Sequence, residues 1–218
     1  MILIGLGANL PTVEGEPRQT LDVALRLFPA FGISLVRCSS FFRTPAIAHT
    51  VQPDYVNAVA VVASALPAPD LLAALHRIEA LFGRVRHGRW AARTLDLDLL
   101  DYQGQIVTVS GPHGAEAGTG PLPLALPHPG IGARGFVLVP LAEVAPDWVH
   151  PRGGVGPQVL LARLIASEGP ATTAEICRRR RYGRRRLSAG RCDPITSARL
   201  AHLSAAPAER LGGAFVCD

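Results

Sequence analysis

The chain has 218 residues, of which 48% are hydrophobic and 18% charged, a composition typical of a globular domain with a sizeable core. All 22 basic residues are arginine, which excludes reactions that need a phosphate-loop lysine or a lysine Schiff base. The net charge of +5 comes from the end of the chain, because residues 1–163 hold 12 arginines and 12 acidic residues whereas residues 164–218 hold 10 and 5.

The sequence shows no signal for a membrane or for an oxidising compartment. It has no apolar run of about 18 residues or more, so we expect no membrane-spanning helix. The apolar N-terminus lacks the basic segment of a signal peptide, which favours a first strand and a cytoplasmic protein. The four cysteines are widely spaced and form no C-x-x-C pair, so they predict free thiols rather than a metal site.

The first hundred residues predict strands that alternate with helices. Strands are expected at residues 1–7, 33–42, 55–63 and 94–100, and helices at residues 17–31 and 70–83. A tight loop at residues 5–9 follows the first strand, the Arg43-Thr44-Pro45 segment ends the second, and Asp70 is the expected N-cap of the second helix. The resulting β-α-β-β-α-β order predicts an α+β fold with a ferredoxin-like antiparallel sheet.

The last of these strands carries a pair of acidic residues. Polar and apolar residues alternate along it, so Asp96 and Asp98 share one face while the neighbouring leucines share the other. Two adjacent carboxylates repel each other and need a positive partner, and hard oxygen ligands suit Mg²⁺, which commonly brings substrate phosphates with it. The alternative is that the two acids are simply the solvated side of a sheet.

Four arginines precede this strand: Arg84, Arg86, Arg89 and Arg93. The planar guanidinium group matches the oxygens of a phosphate, so a cluster of arginines beside two carboxylates indicates phosphoryl chemistry. A solvated loop is the alternative interpretation of these arginines.

Tyr55 and Asn57 share one face of the third strand. An aromatic ring beside a carboxamide suits a flat heterocycle, because the ring can stack on it and the amide can pair with its edge. The alternative is a rim tyrosine beside an asparagine that caps a turn.

The second half of the chain is less regular. Residues 104–129 are rich in glycine and proline and predict a long loop, residues 134–140 predict a strand, residues 141–146 a helical turn, and residues 159–165 a short helix. We therefore expect one domain at residues 1–165 and an arginine-rich, disordered tail at residues 166–218. Arginines in such a tail can bind nucleic acid through phosphates, but a solvated tail is the more common case, and we expect no nucleic-acid partner.

Taken together, several segments resemble the 6-hydroxymethyl-7,8-dihydropterin pyrophosphokinases of folate biosynthesis. They are G-L-G-A-N-L at 5–10, S-S-F-F-R-T-P at 39–45, Q-P-D-Y-V-N at 52–57, R-I-E-A-L-F-G-R-V-R at 77–86, R-W-A-A-R-T-L-D-L-D-L-L at 89–100, L-P-H-P at 126–129 and R-G-F-V-L-V-P-L-A-E-V-A-P at 134–146. The resemblance implies a ferredoxin-like fold and transfer of a diphosphate from ATP to the pterin hydroxymethyl group, with release of AMP. It covers most of residues 1–163 and says nothing about the tail.

The resemblance also assigns roles to residues. The expected metal ligands for two Mg²⁺ ions are Asp96 and Asp98, which form the catalytic set with Arg86 and Arg93. Pterin contacts are expected from Thr44, Pro45, Ile47, Tyr55, Asn57 and Phe136. ATP contacts are expected from Arg84, Arg86, Trp90, Arg93, Leu99, His128 and Arg134, with Arg86 and Trp90 on a loop that closes over the site. We expect a monomer whose partners are these small molecules.

Three departures from the family pattern concern the ATP contacts. The segment R-V-R-H-G-R-W is one residue shorter than expected for the family, Pro123 lies near the place of an arginine found in some members, and Pro129 stands where an aromatic residue is frequent. They leave open an alternative in which the protein keeps the pterin or nucleotide pocket but has impaired turnover.

Overall fold

The computed structural model describes residues 1–46, 51–84, 92–108 and 124–168, all within the compact unit Met1–Arg186. The elements in chain order are strand β1 (Ile2–Ala8), helix α1 (Pro17–Leu27) followed by a 3₁₀ turn (Phe28–Phe31), strands β2 (Ile33–Cys38), β3 (Phe42–Thr44) and β4 (Tyr55–Ser64), helix α2 (Ala68–Leu81), strand β5 (Asp96–Tyr102), and helices α3 (Gly135–Val144) and α4 (Pro157–Glu168). This arrangement confirms the predicted α+β class.

The strands form one antiparallel sheet in the order β2-β4-β1-β5, with β3 also paired to β4. The N-terminal strand is therefore central, and α1 and α2 lie in the two crossovers of a ferredoxin-like arrangement. In the register of the sheet, Gly7 lies opposite both Asn57 and Asp96, while Gly5 lies opposite Asp98. Two small residues of β1 thus separate the acidic pair from the strand that carries the carboxamide.

Both faces of the sheet are covered by helices. Leu3, Val59 and Leu100 belong to one apolar cluster with side chains of α3 and α4. Ile2 and Ile4 point to the opposite face and are 3% and 0% exposed. Helices α1 and α2 contact the sheet and cover this second face. Burial on both sides explains why β4 is an almost unbroken apolar run instead of an alternating one.

The predicted strand at residues 134–140 is wrong. This segment is the first part of α3, and the helical turn predicted at residues 141–146 is the end of the same helix. A continuous apolar run has no period that separates a strand from a buried helix. Helix α3 has such a run because it packs against β4 on one side and α4 on another.

Two further predictions need correction near the site. Residues 5–8 belong to β1 and not to a tight loop. The predicted strand at residues 33–42 is divided into β2 and β3, and Arg43 and Thr44 continue β3. The division has a polar cause, because the backbone N–H and the hydroxyl of Ser40 both donate to Glu143 Oε1 of α3, at 3.0 and 2.8 Å.

The helix predictions at residues 17–31, 70–83 and 159–165 are confirmed as elements, with shifted ends. Helix α1 stops at Leu27 and tightens into the 3₁₀ turn, which Gly32 ends in the left-handed conformation. Helix α2 begins earlier than predicted, with Pro67 as N-cap and Asp70 in the first turn. Helix α4 extends to Glu168, so residues 166–168 are helical and not disordered.

The predicted tail from residue 169 onward lies outside the described residues, and the division into residues 1–165 and 166–218 stays a prediction. Within the described ranges, every helix is too short or too polar to cross a membrane.

Candidate active site

An open cleft of about 830 Å³ lies over the face of the sheet that carries the acidic pair. Its floor is formed by Gly5 and Gly7 of β1, and its walls come from β4, β5, the segment after β3 and the start of α3. The lining includes nine residues that the sequence predicted for the site: Thr44, Pro45, Tyr55, Asn57, Arg93, Asp96, Asp98, Arg134 and Phe136. Residues that are far apart in the chain therefore meet in one place.

The acidic pair projects into this cleft as the alternation in β5 predicts. Leu95, Leu97 and Leu99 are 0%, 1% and 3% exposed, so the apolar face of the strand is in the core. The side chains of Asp96 and Asp98 are 16% and 39% exposed, respectively. The residues opposite the two acids on β1 are glycines, Gly7 and Gly5, which present no side chain to the cleft.

Asp96 is neutralised by two arginines. Arg84 Nη1 lies 2.6 Å from Asp96 Oδ1, and Arg93 Nη1 forms an ion pair with Asp96 Oδ2. Burial alone would lower the pKa of Arg93, but the charge and hydrogen bond of Asp96 raise it above the ordinary value. Arg93 is therefore held as a cation inside the cleft.

Asp98 has weaker compensation. Burial raises the pKa of its carboxyl group above the ordinary value and the charge of Asp96 raises it further, whereas His128, Arg93 and Arg134 act in the opposite direction. His128 Nε2 lies 4.0 Å from Asp98 Oδ2, too far for a hydrogen bond. A cation placed between the two carboxylates would remove this repulsion.

His128 is held with one nitrogen directed at the acidic pair. Its Nδ1 accepts a hydrogen bond from Gly130 N–H at 3.0 Å, which places the proton of the neutral ring on Nε2, facing Asp98. Burial lowers the pKa of His128 below the ordinary value and Arg134 acts in the same direction, while Asp98 and Asp96 oppose the shift. The neutral ring is therefore the favoured form.

Arg134 immediately precedes α3 and extends over the cleft. Its guanidinium carbon lies 5.8 Å from the centre of the Phe136 ring, a cation–π distance. Gly130 makes room for it, since a Cβ at that position would lie 2.6 Å from the guanidinium group.

The other end of the cleft is lined by uncharged side chains, which adjoin the charged groups where Arg134 lies over Phe136. Asn57 Nδ2 donates to Thr44 Oγ1 at 2.8 Å, and both residues are buried. A Cβ on Gly7 would lie 2.9 Å from Asn57 Oδ1, so a larger residue there would displace the carboxamide. Tyr55 and Phe136 line the same region from opposite elements, β4 and α3.

Comparisons with known proteins agree with this geometry. The family model for 7,8-dihydro-6-hydroxymethylpterin-pyrophosphokinase (HPPK) matches residues 3–146, about two thirds of the chain. The chain belongs to this family.

Curated HPPK relatives support the assignment. A 2-amino-4-hydroxy-6-hydroxymethyldihydropteridine pyrophosphokinase of Synechocystis sp. is 41% identical over 153 residues, which cover 70% of either chain. The enzyme of the same name from Pseudomonas aeruginosa is 37% identical over 162 residues, 74% of this chain and 90% of that one. The sequence resemblance is thereby confirmed.

The fold is also that of solved HPPK domains. The HPPK-DHPS of Plasmodium falciparum, crystallised with pterin and p-hydroxybenzoate, superposes with a TM-score of 0.59 at 14% identity. The match covers 81% of this chain but only 46% of that one, so the chain spans about half the length of this bifunctional protein. At this identity the likeness concerns the fold alone.

Some predicted HPPK site residues are placed elsewhere or lie outside the described residues. Leu99 is buried on the core face of β5, and its neighbour Leu100 lines the cleft instead. Ile47, Arg86 and Trp90 lie outside the described residues, as does Arg89.

Sequence reasoning missed Asn9, which is 1% exposed and joins two segments of the site. Its Oδ1 accepts from Arg93 N–H at 2.7 Å, and its Nδ2 donates to the backbone oxygen of Pro53 at 3.1 Å and to Gln52 Oε1 at 3.3 Å. Its position at the end of the G-L-G-A-N motif was a signal, but only the fold reveals its partners.

Sequence reasoning also missed Glu79 of α2, which is 2% exposed. Its Oε1 accepts from Leu97 N–H at 2.7 Å and forms an ion pair with Arg84. The available signal was an acidic residue beside the apolar stripe of an amphipathic helix, because a buried charge needs a partner.

Proposed function

We propose that the acidic end of the cleft binds the triphosphate of ATP with magnesium, and that the neutral end holds the pterin. The protein is an ATP-dependent diphosphokinase of folate synthesis, in which the diphosphate of ATP passes to the hydroxymethyl oxygen of 6-hydroxymethyl-7,8-dihydropterin and AMP leaves. The observation that carries the assignment of the two ends is that Asp96 and Asp98 line the same cleft as Tyr55, Asn57 and Phe136.

The donor set fits magnesium. Asp96 and Asp98 offer hard carboxylate oxygens on one strand face, and their mutual repulsion favours a cation between them. Mg²⁺ characteristically takes one or two carboxylates and completes its shell with water and substrate phosphates. We propose two ions here, which when bound would neutralise phosphate charge and orient the substrate oxygens.

The arginines around the acidic pair align and stabilise the triphosphate. The acidic pair is surrounded by the guanidinium groups of Arg84, Arg93 and Arg134. We propose that these guanidinium groups contact the phosphates. Phosphoryl transfer depends mainly on in-line alignment and on stabilisation of the phosphate oxygens. His128 presents Nε2–H on the same side and is assigned as a further ATP contact. Arg86 and Trp90 keep their predicted ATP roles as part of this proposal, whereas Leu99 keeps its role only through its backbone, because its side chain is buried on the core face of β5.

The pterin site uses stacking and edge recognition. The rings of Tyr55 and Phe136 are proposed to sandwich the pterin, while Asn57 pairs with its edge and Thr44 and Pro45 close the side. The bond from Asn57 to Thr44 fixes the orientation of the carboxamide, which leaves its oxygen to accept from a pterin N–H. Ile47 is assigned to the same pocket.

A coupled assay tests this function. Purified protein is mixed with ATP, Mg²⁺ and 6-hydroxymethyl-7,8-dihydropterin, and AMP and the pterin diphosphate are measured together. We expect equal amounts of the two products and none when any component is omitted. ADP as the nucleotide product, or tight pterin binding without AMP, would contradict the proposal. We further propose a cytoplasmic monomer, which sedimentation of the purified chain tests in part.

A further inference from the structure

We infer that Glu79 is a positioning residue that holds Arg84 in place when magnesium takes Asp96. This inference rests on the proposed role of Asp96 as a metal ligand. It concerns a carboxylate of α2 that is not among the residues that line the cleft and reaches the phosphate end through Arg84.

Arg84 is shared between two carboxylates. The same nitrogen, Nη1, forms ion pairs with Asp96 Oδ1, at 2.6 Å, and with Glu79 Oε1. The Arg84 side chain is 15% exposed and that of Glu79 2%, so solvent screens this group weakly. Asp96 and Glu79 therefore compete for one guanidinium group.

Glu79 is fixed to the strand that carries the acidic pair. Its Oε1 also accepts from the backbone N–H of Leu97, which lies between Asp96 and Asp98, at 2.7 Å. One carboxylate oxygen thus joins α2, the backbone of β5 and Arg84. If Arg84 moves toward a phosphate, its contact with Glu79 keeps the guanidinium group close to the acidic pair.

Metal binding requires Arg84 to change partners. A cation on Asp96 weakens the Asp96–Arg84 attraction and repels the guanidinium group. With Glu79 present, Arg84 keeps a buried anionic partner and is released from Asp96 at little cost. Without the charge of Glu79, Asp96 is the only one of these two acids that forms an ion pair with Arg84. Arg84 then competes more strongly with the metal for Asp96.

The test uses the substitution Glu79→Gln, which keeps an oxygen for Leu97 N–H and Arg84 but removes the charge. Binding of Mn²⁺, as a probe of the magnesium site, is measured by electron paramagnetic resonance with a non-hydrolysable ATP analogue present. We expect the Mn²⁺ dissociation constant to rise about tenfold in Glu79→Gln. The matched control is Glu143→Gln, which removes another carboxylate that accepts two hydrogen bonds, outside the cleft, and is expected to bind as the wild type does.

A second background separates competition from a simple loss of charge. In Arg84→Met the guanidinium group is absent, so Glu79→Gln is expected to have no further effect on Mn²⁺ binding. An equal effect of Glu79→Gln in both backgrounds, no effect in the wild-type background, or an equal effect of Glu143→Gln would overturn the inference. The variant Asp96→Asn distinguishes failure of this inference from failure of the proposed function. Unchanged Mn²⁺ binding in Asp96→Asn would contradict the proposed metal site itself. Lost Mn²⁺ binding in Asp96→Asn, together with no effect of Glu79→Gln, would overturn only the role of Glu79.

Discussion

The two ends of the cleft are built in different ways. At the proposed pterin end, the Asn57 amide nitrogen donates to Thr44 and its oxygen lies against Gly7, so the orientation of the carboxamide is fixed before any ligand arrives. At the proposed phosphate end, Asp96 forms ion pairs with Arg84 and Arg93, and Asp98 carries a raised pKa. Under the proposed function, the pterin end is preorganised, whereas the phosphate end exchanges its internal ion pairs for metal and phosphate contacts.

The difference follows from the physical chemistry of the ligands. A flat heterocycle is recognised by shape, stacking and a few hydrogen bonds, which a rigid pocket can offer in advance. A triphosphate and its metal bring charges of both signs, and an empty site with uncompensated charges of either sign would be unstable. Mutual neutralisation of two arginines, Arg84 and Arg93, by two acids, Asp96 and Glu79, resolves this before substrate binds.

The largest effect is expected from the acidic pair. Asp96→Asn and Asp98→Asn should each lower kcat about a thousandfold or more, because several kcal/mol of charge stabilisation is lost. The AMP-release assay measures this, with Asp70→Asn on the exposed first turn of α2 as control. A kcat within tenfold of wild type in both variants would contradict the proposed role of the two carboxylates at the phosphate end.

A change confined to the pterin end should separate the two substrates. Phe136→Ala removes one wall of the proposed sandwich, and loss of stacking should raise the pterin KM about tenfold to a hundredfold. The ATP KM should change by no more than about threefold, since the guanidinium group of Arg134 has other neighbours in the cleft. Steady-state kinetics with each substrate varied in turn provides the measurement. An equal rise in both KM values would show that the two ends are not independent.

The close contact on Gly7 offers a finer test of preorganisation. In Gly7→Ala the new Cβ would lie 2.9 Å from Asn57 Oδ1, so the carboxamide must move and the pterin KM should rise about tenfold. In Gly5→Ala the nearest atoms are the methyl groups of Leu100 at 3.4 Å, which can adjust, and a smaller rise is expected. A Gly5→Ala effect as large as that of Gly7→Ala would contradict the account of Asn57.

The smallest effect concerns stability without ligands. The pKa of Asp98 in the folded protein is raised above the ordinary 3.8. Ionisation of its carboxyl group therefore lowers the free energy of unfolding as the pH rises from 3.8 to the raised pKa, and the loss is complete above the raised pKa. Asp98→Asn, which cannot ionise, should therefore melt slightly above wild type at neutral pH without metal, and the difference should be small because the 39% exposed Asp98 side chain is partly screened by solvent. The difference should shrink as the pH falls toward 3.8, as calorimetric melting at several pH values can follow.

With magnesium and an ATP analogue present, the wild type should melt at a higher temperature than Asp98→Asn. The ligands bind the folded wild type and raise its Tm, while Asp98→Asn should gain little. A variant that is less stable than wild type at neutral pH in the absence of metal would show that Asp98 is not under electrostatic strain.

The sequence predicted the site where local pattern determines the outcome. Alternation in β5 placed Asp96 and Asp98 on one face, because side-chain direction in a strand depends only on position. The same local reasoning failed for α3, whose continuous apolar run has no period and whose conformation depends on its contacts with β4 and α4. Phe136 was assigned to the pterin by resemblance even though its element was wrong.

Contacts between distant segments were beyond sequence reasoning. Asn9 reaches Arg93, and Glu79 reaches Leu97, across separations that no periodicity describes. Both residues hold a backbone group or an arginine in place, so neither residue by itself indicates a catalytic or binding role in the sequence. Their roles become visible only when the order of strands brings the segments together.

The central claim is that Asp96 and Asp98 jointly hold the metal that binds the triphosphate. A crystal structure with a non-hydrolysable ATP analogue, Mg²⁺ and 6-hydroxymethyl-7,8-dihydropterin tests it most directly. We expect an oxygen of each carboxylate at about 2.1 Å from Mg²⁺, with Arg84 moved from Asp96 toward the phosphates and still paired with Glu79. Magnesium bound to the phosphates alone, with both carboxylates left in contact with arginine, would contradict the account.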